Sequence, residues 1–106
     1  MPMFLATGPY TSEGISGLAR SGAVQRAAEL SAMAKGLGGR LEAMYFGLAE
    51  SDTYIVLELP DTATATAIAK TVNAVGTGYC KMQPILTPQE MDEALKIDTR
   101  FAPPGS

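Results

Sequence analysis

The chain has no histidine among its 106 residues, and that absence removes more chemistry than any motif adds. Gone are the commonest general base near neutral pH, the usual haem axial ligand and the usual zinc or non-haem iron ligand. Catalytic triads, histidine-built metal centres and histidine-ligated haem are therefore excluded. Any catalysis has to draw on Asp, Glu, Lys, Tyr or the one cysteine, Cys80. A lone cysteine forms no internal disulfide, and with no evident secretory leader the expectation is a cytoplasmic protein. Long hydrophobic runs are also lacking, since the longest is a few residues against the roughly 20 that cross a bilayer, so no membrane partner is expected. Basic clusters are missing too. With a net charge of −3 and scattered Lys and Arg, the footprint that drives phosphate-backbone binding is absent, and nucleic acid is not an expected partner.

What remains is one domain, long enough to bury roughly two-thirds of its unfolded surface without staples. The domain is expected to span residues 1–97, with 98–106 a disordered tail. "MFLATG" at 3–8 is a short apolar stretch closed by Gly8-Pro9, a strand and turn. The Ala-rich stretch that follows places Leu18, Val24, Ala27, Ala28, Leu30 and Met33 at helical spacing. Gly14, Gly17 and Gly22 weaken that helix by about 1 kcal/mol each, which predicts a break near Ser21-Gly22 with Ser21 capping the second piece. "GLGG" at 36–39 is its stop. Because it follows a helix and lacks a Lys-Ser/Thr pair, it is not a phosphate loop.

Two apolar, β-rich segments, Arg40–Leu48 and Thr53–Leu59, form a hairpin joined by "AESD" at 49–52, where Ser and Asp bond local backbone in a solvated turn. Asp61 or Thr62 then caps a second helix that Gly76 or Gly78 ends. "YCKMQPIL" reads as a fourth strand, whose Pro84 favours a sheet edge. In "TPQEMDEALK", Thr87 at the cap, Pro88 and Glu90 form a capping box for a short last helix. The fold class is α+β: a ferredoxin-like β-α-β-β-α-β sandwich with a four-stranded antiparallel sheet plus a short C-terminal helix. Helices cover one sheet face. On either phase of alternation the middle strands leave the other face apolar, with Met44, Phe46 and Leu48 or Leu41, Ala43 and Tyr45, and with Ile55 and Leu57 or Tyr54 and Val56. Sheets packing against one another in a homo-oligomer are therefore expected.

The segments "YTSEGISGL" at 10–18, "LGGRLEAMYFGLAESDTYIVLELPD" at 37–61 and "LTPQEMDEAL" at 86–95, in this order and spacing, resemble the GYD domain family. The likeness covers residues 3 to 96. The resemblance implies membership of the dimeric α/β-barrel superfamily, in which two ferredoxin-like sheets pack face to face. It supplies fold and assembly rather than a reaction. Its superfamily relatives include cofactor-independent and haem-using oxygenases, lactone isomerases and stress-response proteins, and a chain without histidine sits poorly with the haem branch. Where the family carries Gly, Tyr and Asp around the hairpin, this chain has Ala49, Ser51 and Asp52, so only the aspartate is kept.

Glu42 and Glu58 are the candidate catalytic residues, because each interrupts an apolar strand of the same hairpin and both are even-numbered. Two carboxylates sharing a poorly hydrated pocket raise each other's pKa, and one then suits proton abstraction beside a carbonyl. The plainer alternative pairs one or both with Arg40, Arg20 or Lys81, or has them reach solvent at strand ends. Tyr10, Tyr45, Tyr54 and Tyr79 are candidate ligand-binding residues together with Asp52, against the ordinary alternatives of packing with one hydrogen bond or of turn chemistry. Cys80 reads as an inert, buried thiol beside Lys81, the methionines as core filler, and Asn73 as a helix C-cap. No cofactor and no metal is expected. The leading expectation is a homo-oligomer binding a small apolar molecule. The rivals are a cofactor-independent isomerase or oxygenase with a strand glutamate as base, and a purely structural assembly subunit.

Overall fold

Four strands and four helices follow one another as β1 (Met3–Gly8), α1 (Ser12–Ser21), α2 (Ala23–Gly36), β2 (Arg40–Phe46), β3 (Thr53–Glu58), α3 (Thr62–Val75), β4 (Lys81–Ile85) and α4 (Pro88–Leu95) in a computed structural model that describes residues 1–105. The expected tail includes Ser106, which lies outside the described residues. The strands form one antiparallel sheet in the order β2-β3-β1-β4, the order of a ferredoxin-like sandwich. Pro84 sits opposite Phe4 on the edge strand β4, where a missing N–H costs no central ladder bond.

Period-two alternation in β1 sends Phe4, Ala6 and Gly8 beneath the helices and leaves Met3, Leu5 and Thr7 on the other face. Phe4, Ala34, Leu57, Leu59, Ala65 and Ile68 make the core between sheet, α2 and α3. Helix starts follow their caps. Asp61 accepts from the Thr64 amide at 2.8 Å, and the Thr87–Glu90 capping box is complete, with bonds of 3.1 and 2.9 Å. Gly76, in the left-handed conformation, closes α3.

The helix break falls where expected, but Ser21 does not cap α2. Its hydroxyl donates back to the Gly17 carbonyl at 3.0 Å, and Gly22 is the joint, its φ of 89° lying where a side chain would be strained. Neither phase of alternation holds along all of β2, because the register shifts between Leu41 and Ala43. Leu41 lies opposite Leu57 on the helix side. Beyond the bulge Met44 and Phe46 face the helices, opposite Ile55 and Thr53, while Ala43 and Tyr45 join Val56 and Tyr54 on the open face. Across that face runs an apolar row, Ala43-Val56-Leu5, with Gln83 at its edge.

Candidate functional site

Leu30 and Met33 of α2, Ile68 and Val72 of α3, and Ala6, Ile55 and Leu57 of the sheet enclose a cavity of about 200 Å³ beside the core. It exists because this end of the sheet presents small side chains to the helices. Gly8 ends β1 there, and a Cβ on it would come within 1.5 Å of the Tyr79 carbonyl oxygen, so the chain at 79 closes in only over a glycine. Most of the lining is apolar; the buried Thr53 hydroxyl is spent on the Gly8 carbonyl at 3.2 Å, and Tyr10, Arg26, Glu29 and Tyr79 are the charged and phenolic lining residues with solvent access, here called the mouth. Arg26 and Glu29, one turn apart, pair at 3.5 Å and are both about half exposed. On their far side Tyr10, Arg26 and Glu29 also border a polar cleft of about 250 Å³ against α1, lined by Glu13, Arg20 and Ser21.

Two short segments bring the rim together. Residues 9–11 and 77–79 bond through Tyr79 N–H to the Pro9 carbonyl at 2.9 Å and Thr11 N–H to the Thr77 carbonyl at 3.0 Å. Three side chains then tie this unit and the adjoining Cys80 to the rest of the molecule, the first being Thr11, whose hydroxyl donates to the Gly76 carbonyl at 3.0 Å. Asp52 accepts the Tyr10 amide at 2.7 Å, reaching from the β2–β3 connection to the turn after β1. Asn73 grips Cys80 twice, accepting its amide at 2.8 Å and donating to its carbonyl at 3.2 Å. Asn73 is thus a strand tether rather than a C-cap, a role filled by Gly76. Of the 49–52 turn, Ala49 and Glu50 are solvated as expected, whereas Asp52 is a half-buried cross-link. Cys80 lines the cavity, and partial burial pushes its thiol pKa up, so it is a poor nucleophile at neutral pH.

The other candidates lie elsewhere. Glu42 and Glu58 do share a face, but it is the open face of the sheet, across the strands from the cavity. There Arg40 binds both, its Nε donating to Glu58 at 2.9 Å while its terminal nitrogen contacts Glu42. The Glu58 hydrogen bond and the charge of Glu42 together raise the Arg40 pKa above its ordinary value. Tyr45 and Tyr54 face each other across β2 and β3 on the same open face. Of the four tyrosines, only Tyr10 and Tyr79 border the cavity. Arg26 and Glu29 are mouth residues that the sequence reading passed over. The available signal was helical spacing, since Arg26 stands four and seven residues before Leu30 and Met33, a charge at the head of a buried stripe.

Among the described residues, no cluster of three or more Cys, Asp or Glu side chains is placed to hold a metal ion, and no helix is long and apolar enough to cross a membrane. The class is an α+β sandwich with a four-stranded antiparallel sheet, helices on one face and an apolar cavity beneath them. Within that class the chain belongs to the GYD domain family, whose model matches residues 4–95, nearly the span over which the sequence resemblance ran. The chain has no significant match among curated proteins or among solved structures.

Proposed function

We propose that this GYD domain is a homo-oligomeric binder of a small, mostly apolar molecule, acting without a cofactor. The observation that carries the reading is the cavity of about 200 Å³, lined mostly by apolar side chains with Tyr10, Arg26, Glu29 and Tyr79 as polar groups among its more exposed lining. Ligand sites of this kind bury an apolar body and fix its orientation with a few polar groups. An apolar cavity of about 150 Å³ accommodates a benzene ring. The matching ligand is therefore a substituted ring or branched chain of roughly ten non-hydrogen atoms or fewer, with one polar end held by Tyr10, Tyr79 or Arg26. The open apolar sheet face supports association of copies through that face. Binding is favoured over a strand-glutamate enzyme because Glu42 and Glu58 are bound to Arg40 on the far side of the sheet. It is favoured over a purely structural subunit because such a subunit needs no cavity.

Native mass spectrometry of freshly purified protein tests this directly. The expected result is an oligomer that retains a discrete extra mass, or takes one up from a panel of small aromatic and aliphatic carbonyl compounds, and a Val72→Phe variant that loses it while staying folded. If neither the retained mass nor any uptake responds to Val72→Phe, the cavity is not the binding site.

A further inference from the structure

Arg20 and Arg26 stand on either side of the Gly22 joint, one in the last turn of α1 and the other four residues into α2. Both line the polar cleft of about 250 Å³, and Arg26 lines the apolar cavity as well. Tyr10, Arg26 and Glu29 thus form a partition, with an apolar space of about 200 Å³ on one side and the polar cleft on the other. A site divided in this way fits a molecule that is itself divided, an apolar body with one polar end.

The sign of that end follows from the charges around the joint. Glu13, the second carboxylate of the cleft, lies two turns along α1 from Arg20, about 10 Å up the axis. Arg20, Arg26 and Glu29 remain at the joint, with one positive charge in excess. Among the described residues Arg20 enters no ion pair. Arg26 meets Glu29 at 3.5 Å, beyond the roughly 2.7–2.9 Å of a charge-assisted hydrogen bond, whereas Arg40 on the open sheet face holds Glu58 at 2.9 Å. The Arg26 guanidinium therefore keeps donors for an incoming acceptor. Ser21 adds none, since its hydroxyl donates to the Gly17 carbonyl. The two arginines are the charged donors of the cleft, and a planar guanidinium matches a carboxylate through two parallel bonds.

We propose that this site takes an amphipathic monocarboxylate, whose apolar body lies in the cavity and whose carboxylate reaches past the mouth to Arg26 and Arg20. The inference rests on the small-molecule reading above and adds the chemical class and the charge of the occupant. Exposed pairs at i and i+3 hold weakly, so Glu29 yields to a ligand that engages both arginines. Because Arg20 is exposed and Arg26 half-exposed, the carboxylate keeps part of its water, and burying the apolar body does not require burying a charge.

The test uses the full chain and three probes of nearly one shape but different charge: phenylacetate, phenylacetamide and phenethylammonium. Titrations followed by NMR are expected to show phenylacetate binding about 10-fold more tightly than the neutral amide, and the cation binding more weakly than either. In an Arg20→Gln/Arg26→Gln double variant that preference is expected to vanish while phenylacetamide binds as before. Val72→Phe is expected to abolish binding of all three. Equal affinity for acid and amide, or preference for the cation, overturns the carboxylate assignment; if Val72→Phe still removes that binding, the small-molecule reading stands. A preference for phenylacetate that survives the double variant overturns the role of the arginines. One that is lost in the double variant but indifferent to Val72→Phe is surface ion pairing alone and overturns the divided site. No uptake of any probe at millimolar concentration overturns both readings.

Discussion

Replacing Asp52 by alanine removes the carboxylate that accepts the Tyr10 amide and leaves that amide without its partner in a half-buried turn. A hydrogen bond to a charged group contributes about 1.5–3 kcal/mol, and partial solvent access places this one toward the lower end, about 2 kcal/mol. Unfolding entropy of about 2.1 cal/mol/K per residue gives about 0.22 kcal/mol/K for a chain of this length, so the melting temperature should fall by about 9 °C. Glu50→Ala, two residues away on an exposed position with no bond, should stay within about 0.5 kcal/mol of the unmutated protein. Asp52→Asn, which keeps an acceptor oxygen in place, should recover most of the difference. Urea unfolding followed by far-UV circular dichroism measures all three. If Asp52→Ala unfolds with Glu50→Ala at the unmutated midpoint, Asp52 is turn decoration and the tether carries no weight.

Two further outcomes follow from titratable groups. Cys80 lines the cavity with its thiol pKa raised by burial, so alkylation by iodoacetamide at mildly alkaline pH should be far slower in the folded protein than in urea, and slower still with the cavity occupied. Equal rates folded and unfolded would show the thiol to be open to solvent. The Thr64 hydroxyl, at 2.7 Å, and the Thr64 amide hold the Asp61 carboxyl below its usual range. A pKa depressed by folding stabilises above the unfolded value and is lost as pH falls through the folded one. Asp61→Ala should therefore melt lower than the unmutated protein at neutral pH, and the gap should narrow below about pH 4, which paired thermal melts across that range would show.

Elements set by local chemistry were legible in the sequence. Asp61, Thr87 with Glu90, and Gly76 act within four residues of themselves, so the helix limits and the β-α-β-β-α-β order follow from reading along the chain. What escaped depends on register or on distant partners. The bulge at Glu42 inverts the phase of β2 halfway along, so no single alternation could assign Leu41 and Met44 to the same side. Asp52 looks like a turn residue because its partner is 42 positions away, and Asn73 like a cap because Cys80 reaches it only once β4 is in place. That the glutamates could share a face depended on a register the sequence left open, and their relation to a cavity depends on which face the helices choose.

The rim of the cavity has a kinetic consequence. Residues 9–11 and 77–79 are bonded to each other through backbone, and the side chains of Thr11, Asp52 and Asn73 fasten them and the adjoining Cys80 to the remainder. On the proposed binding function, entry to the cavity is expected to require release of those side chains rather than of the strand pairing. Such opening would expose the amides of Tyr10 and Cys80 while the sheet stays intact, so faster hydrogen exchange at these two amides than in the central strands is its expected sign.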